Sequence, residues 1–123
     1  MILVVDDNDD TLRIITKILT SNGFEVAVEK NGRDALSRAF ETVPELVILD
    51  IMMPEMSGLE ALEELRQRPA TSAVPVILLT AKSQDEDVIA GYRVGADYYM
   101  TKPFTSKQLL YGVRLVLGLP QGQ

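Results

Sequence analysis

Residues 1–7 read Met-Ile-Leu-Val-Val-Asp-Asp, and residues 46–50 read Leu-Val-Ile-Leu-Asp. Each stretch is a short apolar run that ends in aspartate, and the unbroken run at Leu46 to Leu49 predicts a strand buried on both faces of a parallel sheet. After the first run, four apolar residues recur at helical spacing before Asn22-Gly23 provides a stop: Leu12, Ile15, Ile18 and Leu19. A buried strand followed by a helix is the repeating unit of a doubly wound α/β sheet.

The rest of the chain continues this alternation, and five rounds of it can be counted. Strands are predicted at Ile2 to Val5, Leu46 to Leu49, Val76 to Leu79 and about Ala96 to Met100, with an edge strand containing Phe24, Val26 and Val28. The other helices are predicted after the cap Asn31, from about Leu59 to Arg68, from Ala81 to Val94 with an interruption at Gly91, and from Ser106 to Leu117. The expected fold is a five-stranded parallel sheet of the flavodoxin-like (βα)5 type.

Length and composition limit the possible functions. The 123 residues, 46% of them hydrophobic, predict one domain at 1–117, with 118–123 as a tail or the start of a linker. No apolar run approaches the ~20 residues of a membrane-spanning helix, and no secretory signal is recognisable, so we expect a cytoplasmic protein without a membrane partner. The net charge of −6 argues against direct contact of this domain with nucleic acid.

Residue types narrow the chemistry further. The chain has no cysteine and no histidine, which excludes disulfides, thiolate catalysis and the usual zinc ligands. Any reaction must therefore use carboxylates, hydroxyls, lysine and the backbone.

The polar residues that interrupt the apolar pattern all follow strands. They are Asp6 and Asp7 after strand one, Asp50 after strand three, Thr80 after strand four and Lys102 after strand five. Ligands of parallel α/β sheets bind outside the carboxyl ends of the strands, so these five residues share one edge. We take the strand order 2-1-3-4-5 by analogy with known sheets of this type, and it makes strands one and three neighbours.

Three neighbouring carboxylates require a cation, because at about 4 Å each pair repels by roughly 4 kcal/mol at an effective dielectric near 20. Oxygen ligands alone favour a hard divalent ion, Mg²⁺ or else Mn²⁺. The alternative is a solvated loop followed by an acidic first helical turn, which we expect for Asp9 and Asp10. For Asp6 and Asp7, at the end of a buried strand, we favour the metal site.

Asp50 in such a site is a candidate nucleophile towards phosphorus, with Lys102 neutralising charge and the Thr80 hydroxyl donating to a phosphoryl oxygen. Taken singly, each has an ordinary interpretation: a turn residue, a surface lysine and a strand threonine. The combination favours phosphoryl chemistry.

With these residues placed, the chain resembles the receiver domains of two-component response regulators from Ile2 to about Leu117. The matching segments are Val-Val-Asp-Asp-Asn at 4–8, Leu-Asp-Ile-Met-Met-Pro at 49–54, Ser57-Gly58, Leu-Thr-Ala at 79–81, Gly-Ala-Asp-Tyr-Tyr at 95–99 and Thr-Lys-Pro-Phe at 101–104. Each segment is a weak match alone, whereas the full set in this order is highly specific.

The resemblance implies a phosphorylation switch rather than an enzyme. Asp50 would accept a phosphoryl group from a sensor histidine kinase or a phosphotransfer protein, and Lys102 would contact it after a cis peptide bond to Pro103. Mg²⁺ would be bound by Asp6, Asp7, Asp50 and the backbone carbonyl of Met52. Thr80 and Tyr99 would form the switch that alters partner binding, although a half-exposed aromatic on an edge strand is the ordinary interpretation of Tyr99.

Departures from the family pattern concern the lifetime of the phosphoryl group and the way in which the domain passes on its signal. Met52 and Lys82 occupy the positions that flank the attacking water, and neither supplies a carboxylate or amide, so we expect slow self-dephosphorylation. Gln108 and Gly112 replace the Glu and Arg that receivers joined to winged-helix domains often carry, which leaves a phosphorylation-dependent homodimer in doubt. The output is either a separate downstream protein or a fused domain.

Two other classes of function were considered. A haloacid-dehalogenase-like phosphatase would need a second aspartate two residues after Asp50, where Met52 stands. A flavodoxin-like binding module would need a phosphate-cradling loop after strand one, where residues 6–10 are acidic and would repel a phosphate.

Overall fold

The computed structural model describes residues 1–81 and 85–121, and its side chains outside 82–89. Five strands alternate with five helices along the chain. Their bounds are β1 Ile2–Val5, α1 Asp9–Ser21, β2 Val26–Glu29, α2 Gly32–Glu41, β3 Leu46–Asp50, α3 Gly58–Gln67, β4 Val76–Thr80, α4 Asp85–Val94, β5 Tyr98–Thr101 and α5 Ser106–Leu117. Among the described residues, no helix has both the length and the apolar character needed to cross a bilayer.

The strands form one parallel sheet in the order β2-β1-β3-β4-β5, which confirms the predicted fold class. Val5 of β1 lies opposite Leu49 of β3, so the residues that follow these two strands emerge side by side. On the other side of β3, Asp50 lies opposite Leu79, and Thr80 then pairs with Thr101 of β5. The register therefore brings the carboxyl ends of β1, β3, β4 and β5 to one edge.

The sheet has an apolar core on each face. One core is built on alternate residues such as Leu3, Leu49 and Leu78 and is covered by α2 and α3. The other contains Ile2, Ile48 and Ile77 and is covered by α1 and α5. β1, β3 and β4 are buried throughout, as their continuous apolar runs predicted.

Several predicted bounds were wrong by a few residues. α3 begins at Gly58 rather than Leu59, because the Ser57 side chain caps it, and Arg68 already has an extended backbone. Of the helix predicted from Ala81, the structure describes Asp85–Val94 as α4 and a bend at Ala81, and 82–84 lie outside the described residues.

The start of β5 was also misplaced. β5 begins at Tyr98 rather than Ala96, because the Ala96 N–H donates to the carbonyl of Gly91 and thereby belongs to the end of α4. The Asp97 side chain also bonds to another strand: it accepts a hydrogen bond from the N–H of Val76, the first residue of β4, at 2.8 Å.

Candidate functional site

Three aspartates meet where β1 and β3 end. One carboxylate oxygen from each of Asp6, Asp7 and Asp50 lies within 4.8 Å of the others. Asp6 is fully buried and Asp50 is 3% exposed, whereas Asp7 faces solvent. The register of Val5 with Leu49 accounts for this meeting, since Asp6 and Asp50 are the next residues on neighbouring strands.

Lys102 brings a positive charge to this cluster. Its Nζ lies 2.8 Å from Asp6 Oδ2 and 3.6 Å from Asp50 Oδ2. The Lys102 backbone N–H donates to the Thr80 carbonyl at 2.6 Å, which fixes the lysine against the end of β4. The Lys102–Pro103 peptide bond is cis, as the resemblance implied. The stem of Lys102 is thus held so that its amine reaches two of the three carboxylates.

Backbone N–H groups orient the two buried carboxylates. The Asn8 N–H donates to Asp6 Oδ1 at 2.9 Å, and the Met52 N–H donates to Asp50 Oδ1 at 3.3 Å. The Asn8 side chain also accepts from the Thr11 N–H and so begins α1, which directs the partial positive charge of that helix end towards the cluster. Asp9 and Asp10 lie in the first turn of α1, as predicted.

The donor set fits a hard divalent cation. Two carboxylates are almost completely removed from water and a third is at the surface. Among the described residues, Lys102 is the lysine beside them, and its one positive charge leaves an excess of negative charge. Burial raises the pKa of Asp50 to about 6, and repulsion by Asp6 contributes in the same direction. Oxygen ligands with unbalanced negative charge are what Mg²⁺ and Mn²⁺ select.

This raised pKa predicts a pH-dependent stability of the metal-free protein. Between about pH 4 and pH 6 the folded state binds a proton on Asp50 that the unfolded state has already released, so stability falls as pH rises through this range. The difference from an ordinary carboxyl corresponds to roughly 3 kcal/mol at most. Urea unfolding at intervals between pH 4 and pH 7 should show this slope in the unmodified protein, and Mg²⁺ should counteract it near pH 7.

Asp50→Asn is the matched control, because its side chain has nearly the same shape and does not titrate. Carboxylates outside this cluster contribute equally to both proteins, so the difference between the two pH profiles reports on Asp50 together with its interaction with Asp6. Parallel profiles would contradict the prediction.

The two remaining candidates, Thr80 and Tyr99, lie on β4 and β5. Thr80 is 2% exposed and stands one residue beyond Leu79, the partner of Asp50 across the sheet. Tyr99 is opposite Leu78, and its ring packs inward with a buried hydroxyl. A Cβ on Gly91 of α4 would lie 3.3 Å from this ring, so the Tyr99 side chain is seated against the helix. β5 is an edge strand, and on it the Tyr99 side chain is partly buried, with its hydroxyl enclosed.

Met52 and Gly58 complete the surroundings of Asp50. The Met52 side chain is 65% exposed at the mouth of the site, and Lys82, predicted to flank it, lies outside the described residues. Gly58 was quoted only as part of a motif, yet a Cβ there would lie 2.2 Å from the Asp50 carbonyl oxygen. Gly58 is the first residue of α3, directly after the Ser57 cap. A glycine at that position is the sequence feature that could have predicted a close approach of two backbone segments.

The chain was compared with known proteins. A family model described as the response regulator receiver domain matches residues 2–114. The DNA-binding response regulator MtrA of Mycolicibacterium smegmatis is 43% identical over 113 residues, which are 92% of this chain and 48% of that protein. The alkaline phosphatase synthesis transcriptional regulatory protein PhoP of Bacillus subtilis is 36% identical over 116 residues, 94% of this chain and 48% of its own. The chain spans about half the length of these curated relatives.

Solved structures give the same result. The chemotaxis protein CheY4 of Vibrio cholerae is 30% identical with a TM-score of 0.90, and the match covers 94% of this chain and 96% of that one. The receiver domain of NtrX from Brucella abortus is 28% identical with a TM-score of 0.90, covering 98% of this chain and 100% of the other.

Proposed function

This chain belongs to the response regulator receiver domain family of two-component signalling, and from that premise we propose that Asp50 is its phosphoacceptor. The observation that supports this best is the position of Asp50: it is buried at a strand end, beside two further aspartates and within 3.6 Å of a lysine amine. Receiver domains are response regulators rather than classical enzymes. We infer that this one assists its own phosphorylation and its slow dephosphorylation.

In the proposed reaction a carboxylate oxygen of Asp50 attacks the phosphorus of a phosphohistidine on a sensor kinase or phosphotransfer protein. The new O–P bond forms as the N–P bond breaks, and the imidazole leaves. Lys102 neutralises developing charge on the phosphoryl oxygens. Asp6, Asp7, Asp50 and the Met52 carbonyl would hold Mg²⁺, which when bound supplies further positive charge to those oxygens.

The proposed switch consists of Thr80 and Tyr99. The Thr80 hydroxyl would donate to the phosphoryl group, and its movement would change the packing of Tyr99 against α4. The altered surface would then change the affinity for a downstream protein or a fused output domain. The relatives named as DNA-binding are about twice as long, so DNA contact is assigned to such an added domain, with 1–117 as the receiver and 118–123 as its tail or linker.

The two positions of α5 that would carry the charges of a salt-bridged homodimer do not favour such a dimer. Gln108 is uncharged, and a Cβ on Gly112 would meet the Tyr98 ring at 2.8 Å, so the aromatic ring fills the space that a larger residue would need. If phosphorylation causes the chain to form a homodimer, we expect its interface to be held by contacts other than ion pairs at Gln108 and Gly112.

Mass spectrometry tests the proposed chemistry. Incubation with acetyl phosphate and Mg²⁺ should add the mass of one phosphoryl group, and Asp50→Asn should remove that gain while remaining folded. Beryllofluoride with Mg²⁺ should bind in the same Asp50-dependent way, and light scattering on the complex would report its association state. An equal mass gain in Asp50→Asn would reject Asp50 as the phosphoacceptor.

We expect the phosphoryl group to persist for minutes or longer. The Met52 side chain is exposed beside Asp50 and has no carboxylate or amide to orient an attacking water. Met52→Asn supplies such a group and should shorten the lifetime about tenfold, which is less than the roughly hundredfold or more that a fully positioned acid or base contributes to proton transfer. The decay of phosphorylated protein after removal of acetyl phosphate measures this.

Met52→Leu is the control for loss of the thioether, and its lifetime should match that of the unmodified protein. Release within seconds from the unmodified protein would contradict the expectation.

A further inference from the structure

Arg66 joins three segments at the edge of the sheet opposite Asp50. From the last turn of α3, its Nη2 and Nε donate to the Gly95 carbonyl at 2.7 and 3.1 Å, and its Nη1 donates to the Val74 carbonyl at 2.8 Å. Nη2 also lies 3.1 Å from Asp97 Oδ2. Only 17% of the Arg66 side chain is exposed, so a largely buried guanidinium connects α3 to the start of β4 and to the turn between α4 and β5.

The surroundings of Arg66 leave little freedom. Gly95 has a φ of +109°, and a Cβ there would lie 3.0 Å from Arg66 Nε, so the turn fits closely around the guanidinium. Asp97 Oδ2 accepts from both Arg66 and the Val76 N–H, and the Asp97 N–H donates to the Val76 carbonyl. The end of α4 and the starts of β4 and β5 therefore form one hydrogen-bonded unit.

Conditions differ where Tyr99 meets α4. The Tyr99 ring centroid lies 6.2 Å from that of Tyr92, and a Cβ on Gly91 would be 3.3 Å from Tyr99 Cε2. These described packing contacts with Tyr92 and Gly91 are less directional than hydrogen bonds to a charged donor. A movement of Tyr99 would thus displace the middle of α4 before it displaced the turn held by Arg66.

We propose that Arg66 is the fixed point of α4: it holds residues 93–97 against α3, so that the rearrangement caused by phosphorylation is confined to the preceding part of the helix and to β5. This inference rests on the proposed function, because it concerns how the signal from Asp50 spreads. Arg66 is in this sense a positioning residue, since it touches neither the phosphoryl group nor its ligands.

Hydrogen exchange measured by mass spectrometry tests the proposal with the full chain. In the unmodified protein, beryllofluoride with Mg²⁺ should change exchange in peptides covering 85–92 and leave 93–97 unchanged. Arg66→Met keeps an unbranched apolar stem and removes the guanidinium. In this variant the change should extend into 93–97, with exchange there at least about tenfold faster, since loss of even one hydrogen bond to a charged donor is expected to give that factor and Arg66 makes several. In Arg66→Lys the change should extend into 93–97 to a smaller degree, because an ammonium lacks the planar fork of hydrogen-bond donors that a guanidinium has.

Two controls separate positioning from general destabilisation. Arg68→Met removes a neighbouring guanidinium that lies over the Phe40 ring, and Leu36→Ala weakens the core at α2. In both variants the change in exchange should stay within 85–92, as in the unmodified protein. Three results would overturn the proposal. They are no extension of the change into 93–97 in Arg66→Met, an equal extension in Leu36→Ala, and a response of 93–97 already in the unmodified protein. Failure of beryllofluoride to bind would instead reject the proposed function, and the inference with it.

Discussion

Phosphorylation of Asp50 by acetyl phosphate is expected to slow by about a hundredfold or more when Lys102 is replaced by methionine, in the range found for loss of one preorganised charge-stabilising donor. The Lys102 amine lies 2.8 Å from Asp6 and 3.6 Å from Asp50, and its side chain is 23% exposed, so this partly buried charge is only weakly screened. Its removal leaves the phosphoryl oxygens facing carboxylates without this cation. The measurement is the rate of mass gain at saturating Mg²⁺.

Two lysine variants complete this experiment. Lys107→Met removes an exposed lysine of α5 and should leave the rate unchanged, which excludes an effect of net charge. Lys102→Arg keeps the charge but not the geometry of the amine and should recover part of the rate. A Lys102→Met rate within threefold of the unmodified protein would assign the neutralising role elsewhere.

Replacement of Gly58 by alanine should have the second large effect. The new methyl group would lie 2.2 Å from the Asp50 carbonyl oxygen and 2.9 Å from Ile51 Cα, both backbone atoms, where ordinary contacts are 3.4–4 Å. Either α3 or the Asp50 backbone must move by about 1 Å, a displacement that can cost a hundredfold in rate. Overpacking of this kind also destabilises by about 1–3 kcal/mol. Urea unfolding and the phosphorylation rate would measure the two consequences.

Gly32→Ala is a closely matched control. Gly32 is the first residue of α2, as Gly58 is of α3, and both follow a capping side chain. Its new methyl group would meet the Met56 side chain at 2.9 Å, and that flexible side chain can move away. We expect a small loss of stability and a normal phosphorylation rate. Similar rates for the two alanine variants would show that Gly58 does not position Asp50.

Much of the fold could be predicted because its strands are unusually uniform. The runs at 2–5 and 76–79 are apolar throughout, and a sheet covered by helices on both faces imposes that pattern. The prediction was less accurate after Gly91, where hydrogen bonds at the end of α4 determine where β5 begins. Strand order was taken by analogy, since periodicity contains no information about which strands are neighbours.

The positions of the candidate site residues followed from the sheet edge, because carboxyl ends of parallel strands converge whatever the loops do. Thus Asp6, Asp50 and Lys102 were expected together before any distance was known. The roles of Gly58 and Arg66 were not found, because a close approach and a buried guanidinium depend on contacts between segments distant in sequence.

The short hydrogen bond from the Lys102 N–H to the Thr80 carbonyl links the lysine to the threonine at the end of the ladder between β4 and β5, in which Thr80 itself pairs with Thr101. Neither Lys102 nor Thr80 can be displaced along the strand axis without stretching that bond. The two are therefore expected to interconvert between resting and activated positions as one kinetic unit. In relaxation-dispersion measurements their amide resonances should report a single exchange rate and a common population.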